Sequence, residues 1–109
     1  MSDTGKVVVL VTTSTLEEAE KIAGLLLQQR KAACINIVPR VSSAYWWQGK
    51  IENAEESLLI IKTRNELLPE LITLIKQAHS YTVPEIIALP IIAGNQVYLN
   101  WLDAETRLA

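Results

Sequence analysis

The chain carries one histidine and one cysteine, whose side chains are favoured ligands of copper and similar metals. His79 ends a predicted helix, where its imidazole could bind a metal ion or interact with the negative end of the helix dipole. Cys34 begins a predicted strand within an apolar run, which is typical of a buried, unreactive thiol but also suits a Cu(I) ligand facing a cavity. A tight copper site needs several such ligands, so one imidazole alone does not predict one.

Charged and aromatic side chains in other segments could instead bind a small ligand. Lys62 interrupts an apolar strand pattern, where it could pair with a carboxylate, bind an anion or extend its ammonium group to water. Tyr81 and Glu85 flank a proline in a predicted loop, and Glu85 could bind a cation or form a salt bridge with Lys62. The candidate ligand-binding residues are Lys62, Tyr81, Glu85, Trp47, Trp101 and Glu52.

Three of these residues could have a purely structural role and bind no ligand. Trp47 and Trp101 could line a ligand pocket with their polar edges or pack at an interface without any ligand. Glu52 belongs to an acidic group that is either a solvated face or a source of weak oxygen ligands for hard cations.

The same residues do not form a recognisable catalytic pattern. His79, Glu85 and Tyr81 are the candidate acid–base groups. The sequence shows no nucleophile with an evident base, no phosphate-binding glycine loop and no metal triad. We therefore expect the protein not to be an enzyme.

The hydrophobic pattern predicts which elements hold these residues. Ser14 with Glu17 has the spacing of a helix capping box, and Asn65 and Asn95 are expected to cap two later helices. Pro39 predicts a bulge or an edge position in the second strand. Strands are expected over residues 6–13, 33–48, 50–64 and 86–92, and helices over 14–30, 66–79 and 95–102.

This βαββαβ order, followed by a short C-terminal helix, predicts an α+β ferredoxin-like fold. At 109 residues, the chain (1–109) is expected to form a single domain. Helices on one face of the sheet leave an apolar face on the other, and half of all residues are hydrophobic. The sequence therefore predicts an oligomer whose subunits cover that face.

The longest predicted strands form a hairpin that ends in aromatic residues. A two-residue turn at 49–50, with glycine first, would place Trp47 opposite Glu52 and Tyr45 opposite Ala54. A hairpin tip projects from its sheet, so a monomer of this size can hardly cover these rings. Another copy of the chain, or a ligand held between copies, is the expected cover.

Charge and hydropathy exclude two classes of partner. The net charge is −2 and no basic stripe is present, which argues against nucleic acid. The apolar stretch over residues 7–11 is too short for a membrane span or a signal-peptide core. We therefore expect a cytoplasmic protein with no membrane partner.

Several motifs, in order, resemble those of the CutA-type divalent-cation tolerance proteins. That resemblance implies a very stable homotrimer, with long hairpins extending across neighbouring subunits, and a link to tolerance and binding of copper and other divalent cations. It also implies a possible signal-transduction role. Some members carry a second histidine and a cysteine where this chain has Ala78 and Thr12. The similar stretches are residues 11–13, 31–36, 45–52, 62–63 and 81–85, followed by Tyr98 and Trp101.

The leading hypothesis is therefore a trimeric cytoplasmic protein associated with divalent metal-ion tolerance. It would bind copper, another divalent cation or a small ligand in clefts between subunits, where the candidate residues would converge. No cofactor is expected to be needed for folding. The alternative is a structural or signalling adaptor trimer without a metal function.

Overall fold

The computed structural model describes residues 4–107 and confirms the predicted element order. The first and third strands have the expected bounds. The second is one residue shorter at each end, and the fourth ends two residues early, at Pro90. The elements are β1 (Lys6–Thr13), α1 (Leu16–Gln28), β2 (Cys34–Trp47), β3 (Lys50–Arg64), a 3₁₀ turn (Asn65–Leu67), α2 (Leu68–Ala78), β4 (Ile86–Pro90) and α3 (Gln96–Glu105).

The four strands form one antiparallel sheet in the order β2–β3–β1–β4. Helix α1 joins β1 to β2 and α2 joins β3 to β4, so each connection passes over an intervening strand, as in a ferredoxin-like fold. Alternate residues of the central strands face these helices and form the core. The core includes Val7, Val9, Val11, Leu59 and Ile61 from the strands, Ala19, Ile22 and Leu26 from α1, and Leu71 and Ile75 from α2.

The other side of the sheet, which we call the open face, is apolar but incompletely covered. Leu10 of β1 pairs with Ile60 of β3, and Val8 and Leu58 lie two positions away on the same side of their own strands. All four side chains point away from α1 and α2. These four side chains are only partly buried. The open face consists of Val8, Leu10, Leu58, Ile60, Ile87 and Leu89.

Helix α3 covers one end of the open face. The Arg64 side chain donates from Nε to the Thr106 hydroxyl at 2.8 Å and from a terminal nitrogen to the Thr106 carbonyl at 3.0 Å. Lys6 forms an ion pair with Asp103 at 3.5 Å. Lys6 and Arg64 are direct partners in the sheet, so α3 is anchored at the end of the sheet where β1 begins and β3 ends.

Strands β2 and β3 continue past the sheet as a two-stranded ribbon. Strand β1 pairs with β3 over residues 57–64, so residues 50–56 extend about 23 Å beyond the end of β1. The predicted bulge is confirmed, because the register between the two long strands shifts between Val38 and Val41. The Ser57 hydroxyl donates to the Pro39 carbonyl at 2.7 Å and so stabilises the bulge where the ribbon leaves the sheet.

The predicted position of the hairpin turn is wrong by one residue. Gln48 and Gly49 have φ values of 51° and 82°, so they are the two central residues of the turn. Trp47 therefore pairs with Lys50, and Tyr45 pairs with Glu52. A turn with both central residues in the left-handed region matches the twist of the strands, which explains why the chain turns before Lys50.

Two of the three predicted helix caps are also wrong. Thr15, not Ser14, caps α1, and its hydroxyl accepts from the Glu18 backbone N–H at 3.1 Å. Asn65 does not cap α2, because it begins the 3₁₀ turn that precedes the helix, and the N-cap residue of α2 is Leu67. The Asn65 backbone N–H instead donates to the Gly5 carbonyl at 2.8 Å. Asn95 caps α3 as predicted, accepting from the Val97 N–H at 3.1 Å.

Two glycines should respond in opposite ways to alanine substitution. Gly49→Ala should destabilise the protein by about 1 kcal/mol, because a Cβ is strained at a φ of 82°. Gly24→Ala should stabilise it by a similar amount, since Gly24 lies inside α1 with open space around its Cα. Denaturant unfolding of both variants measures this difference. Equal effects of the two substitutions would contradict the assignment of the turn.

Candidate functional site

A cleft of about 740 Å³ lies between the ribbon, the end of β1 and the loop formed by residues 80–85. This volume is in the range typical of pockets that hold small molecules. The ribbon supplies one wall and the loop supplies the other, with β1 between them. The lining residues are Thr12 of β1; Ser42, Ser43, Ala44, Tyr45, Trp47 and Glu56 of the ribbon; and Ser80, Tyr81, Thr82, Val83 and Glu85 of the loop.

The two walls are joined by a hydrogen bond between Tyr81 and Glu56. The Tyr81 hydroxyl donates to Oε2 of Glu56 at 2.7 Å. Partial burial and this bond to a carboxylate raise the pKa of Tyr81 well above its ordinary value, so the phenol keeps its proton. Glu56 is 7% exposed, which makes it one of the few buried charged residues of the described chain.

Glu18, on α1, holds the start of the loop in place. Its carboxylate accepts from the Ser80 backbone N–H at 2.6 Å, from the Ser80 hydroxyl at 3.1 Å and from the Ser14 N–H at 3.2 Å. Burial opposes ionisation of Glu18, but these hydrogen bonds outweigh it and lower the pKa of the carboxyl. The loop is therefore tied to the same helix that packs on the core.

His79 lies directly beneath the cleft, with a fully buried side chain. Its Nδ1 accepts from the Tyr81 backbone N–H at 3.0 Å, which leaves the ring proton on Nε2. That Nε2–H donates to the Thr12 carbonyl at 2.7 Å. Both ring nitrogens are therefore engaged in positioning the loop, and binding a metal through either would require one of these bonds to break.

The other predicted metal ligand, Cys34, lies at the opposite end of the sheet. It pairs with Lys62, while Thr12, the contact of His79, pairs with Leu58. Residues 58 and 62 are four positions apart on β3, or about 13 Å. One copy of the chain therefore does not bring Cys34 and His79 together in a single site.

Cys34 is part of a second group of candidate residues, near α3. Burial, and to a smaller extent the nearby thiol of Cys34, raises the pKa of Tyr98. The rings of Tyr98 and Trp101 lie 5.5 Å apart. The Lys62 ammonium group donates to the Asn36 side-chain carbonyl on the neighbouring strand. Lys62 and Trp101 thus belong to the Cys34 end of the sheet.

The structure therefore divides the predicted ligand-binding residues between two places. Tyr81, Glu85 and Trp47 line the cleft, whereas Lys62 and Trp101 lie at the far end of the sheet. Glu52, the partner of Tyr45 on the ribbon, is exposed and lies outside the lining of the cleft. Within one copy, Lys62 contacts Asn36 rather than a glutamate.

Sequence reasoning missed several residues that build the cleft. Glu56 follows another glutamate in its strand and Glu18 follows another glutamate in its helix, so both have the pattern of solvated surface carboxylates. Ser42 and Ser43 are small polar residues in the ribbon, and nothing in their sequence context indicates a pocket. The position of the cleft depends on where the ribbon leaves the sheet, which strand periodicity does not reveal.

Comparison with known proteins identifies the family. Residues 7–105 match the family model described as CutA1 divalent ion tolerance protein. The chain is 50% identical over 101 residues to Protein CutA 1, chloroplastic, of Oryza sativa, covering 93% of this chain and 57% of that protein. It is 48% identical over 99 residues to the divalent-cation tolerance protein CutA of Thermus thermophilus, covering 91% and 96%.

Solved structures agree with these sequence matches. The periplasmic divalent cation tolerance protein CutA from Archaeoglobus fulgidus superposes with a TM-score of 0.91 at 43% identity, covering 94% of this chain and 99% of that one. The chain therefore belongs to the CutA1 divalent ion tolerance protein family. It spans a little over half the length of the plant relatives that it matches. None of the helices within residues 4–107 is both long and apolar enough to cross a membrane.

The tether from Glu18 predicts a specific pH dependence of stability. An unfolded glutamate has its ordinary pKa near 4.5, and the folded value is lower. The stabilisation is therefore complete above the ordinary pKa and is lost as the pH falls through the lowered one. Glu18→Gln should lower the melting temperature near neutral pH and flatten its decline under acid conditions.

Glu17→Gln is the matched control, because Glu17 is an exposed carboxylate in the same helical turn. Melting temperatures of the wild type and both variants, measured from about pH 7 to about pH 3, test the prediction. A Glu18→Gln profile parallel to that of the wild type would show that the tether does not contribute to stability.

Proposed function

We propose that the protein is a homotrimer that acts in tolerance of divalent cations, copper among them. It binds a metal ion or a small ligand in clefts between subunits, has no enzymatic activity and works in the cytoplasm. The observation that carries this proposal is the amount of apolar surface that one copy leaves uncovered. Membership of the CutA1 divalent ion tolerance protein family supports the link to cations.

The uncovered surface is contiguous with the elements that build the cleft. Trp46 is 72% exposed and Trp47 is 45% exposed at the ribbon tip. Ile87 and Leu89, on the open face, are 51% and 48% exposed. A monomer rarely leaves large apolar patches in water, because covering them lowers the free energy. Assembly through the ribbon and the open face removes this cost.

The sheet edges offer a way to assemble. Strand β4 is an edge strand of five residues, and β2 forms the other edge and continues into the ribbon. An unpaired edge readily accepts a strand from another copy. A ribbon that crosses to a neighbouring subunit carries Trp47 with it and brings one copy's cleft close to another copy's Lys62 and Trp101. The candidate residues that lie apart in one chain then share an intersubunit cleft.

Metal binding in such a cleft draws on two sets of donors. Glu56 and Glu85 supply carboxylate oxygens at the cleft, which suit hard divalent cations. Cys34 supplies a thiol at the far end of the sheet, and His79 supplies an imidazole if its loop rearranges. Copper, as the softer ion, favours the thiol and the imidazole.

An adaptor or signalling trimer without a metal function is the second candidate. The exposure of Trp46 at the outermost part of the ribbon favours it, because aromatic side chains are common anchors in protein interfaces. In this case the ribbon tip binds a partner protein, and substitution of Lys62 or Glu85 leaves that binding unchanged.

Trp47→Ala should weaken the trimer more than it destabilises the individual subunit. Removing a well-buried aromatic side chain costs ~3–5 kcal/mol. Trp47 is 45% exposed in one copy and would become well buried in the proposed trimer. Sedimentation velocity at several concentrations measures the loss of trimer. Val97→Ala, which removes an exposed apolar side chain from α3, is the control. An undiminished Trp47→Ala trimer with unchanged melting would contradict the proposed interface.

Isothermal titration of metal-free trimer with Cu(II) and Zn(II) tests the proposed binding. We expect heat with at least one of the ions, and a weaker affinity after Glu85→Gln or Cys34→Ala, depending on which donor set is used. Glu20→Gln, an exposed carboxylate on α1, should leave the titration unchanged. Absence of heat with both ions, on protein shown to be trimeric, would count heavily against a direct metal-binding function.

A further inference from the structure

The lining of the cleft has a charge composition that restricts its ligand. It contains two carboxylates, Glu56 and Glu85, and within residues 4–107 it contains no lysine, arginine or histidine. Glu18, whose pKa is lowered, lies at its rim through the bonds to Ser80. Low-dielectric walls concentrate the field of such charges, so the cleft attracts cations and repels anions.

Glu56 is the strongest indication that a positively charged group belongs in the cleft. The residue is more than nine-tenths buried, and one of its carboxylate oxygens accepts the Tyr81 hydrogen bond. Its second oxygen has no hydrogen-bond donor and the group has no ion-pair partner within residues 4–107. No buried side-chain oxygen of that range lacks a partner, so this second oxygen opens to the cleft. A carboxylate with so little access to water is stabilised by a nearby positive charge, which a neutral phenol does not supply.

The remaining lining residues favour an organic cation over a bare metal ion. Tyr45 and Trp47 provide aromatic faces on the ribbon, which attract cations through their π electrons. Ser42, Ser43 and Thr82 provide hydroxyl groups that can accept hydrogen bonds. A volume of about 740 Å³ is far larger than a metal ion with a few waters requires. No group of three or more His, Cys, Asp or Glu side chains suited to a metal occurs among the described residues.

We propose that the cleft binds a small organic cation with a primary ammonium group, which pairs with Glu56 and Glu85 and packs its carbon chain against Tyr45 and Trp47. This proposal rests on the function proposed above, in the case where the cleft holds a small ligand and not a metal ion, and it names the chemical class of that ligand. An aliphatic diamine satisfies these requirements, with one ammonium group donating to the free oxygen of Glu56.

The test is isothermal titration of the assembled protein with 1,4-diaminobutane, and with 1,4-butanediol as the uncharged counterpart. We expect saturable binding of the diamine, no binding of the diol, and weaker diamine binding at higher salt. Glu56→Gln and Glu85→Gln should each weaken binding at least tenfold. The amide oxygen of Gln at position 56 can still accept from Tyr81, so this variant keeps the bond between the walls.

Glu20→Gln is the matched control, since it removes one exposed carboxylate from α1, outside the cleft. Circular dichroism and sedimentation of each variant show whether fold and assembly are retained. If Glu56→Gln does not fold, Glu85→Gln alone decides the result. Equal affinity of the wild type and Glu85→Gln for the diamine would overturn the proposal, as would comparable binding of the diol.

In the proposed trimer a neighbouring copy's Lys62 lies near the cleft, and Lys62→Met tests whether that lysine, and not a free ligand, pairs with Glu56. If the wild type does not bind the diamine and Lys62→Met does, the lysine of a neighbouring subunit fills the cleft and the free-ligand proposal is overturned. A trimer that binds metal ions but no diamine also overturns it, while leaving the proposed function intact. A monomer that binds the diamine supports this inference and contradicts the proposed trimer.

Discussion

The structure depends on a mismatch in strand length. Strand β1 has eight residues, whereas its neighbour β3 has fifteen and β2 has fourteen. Hydrogen bonding to β1 therefore ends at Ser57, and the remaining part of the hairpin must continue without a third strand. A two-stranded ribbon is marginally stable in water by itself, so its apolar side chains need a further partner. The exposed indoles of Trp46 and Trp47 and the ribbon wall of the cleft follow from this mismatch.

The cleft forms where the ribbon separates from the sheet, and its position is fixed from the core. Glu56 immediately precedes Ser57, the residue of β3 at which pairing with β1 ends, and its carboxylate accepts the hydroxyl of Tyr81 from the opposite loop. The loop opposite is held at two points, by Glu18 from α1 and by the contact of His79 with the end of β1. Both anchors belong to elements that pack on the buried face. The loop wall of the cleft is therefore set before any ligand or neighbouring subunit arrives, which reduces the entropy lost on binding.

Local sequence patterns were sufficient for the fold but not for the site. The bounds of β1 and β3 follow from uninterrupted runs of apolar and β-branched residues, and the bulge at Pro39 follows from the missing N–H. The turn at Gln48 and Gly49 was misplaced because a non-glycine residue occupies a left-handed conformation there. The cleft could not be predicted, because Thr12, Glu56 and Tyr81 are brought together by strand register and by a loop anchored through Glu18. The suggested pairing of Lys62 with Glu85 followed from their opposite charges, and within one chain the sheet separates them.

The distribution of donor atoms bears on how cations interact with the chain. At the cleft the accessible donors are oxygens, from carboxylates and hydroxyls, and these favour hard metal ions or hydrogen-bonding ammonium groups. The sulfur donor, Cys34, lies at the other end of the sheet beside Tyr98, and the imidazole of His79 is used to position the loop. A soft ion such as copper and an ammonium ligand would therefore use different ends of one subunit. If a neighbouring ribbon brings those ends together, a cation bound at one end alters the electrostatic potential at the other. The affinities for the two kinds of cation then become coupled through the same interface.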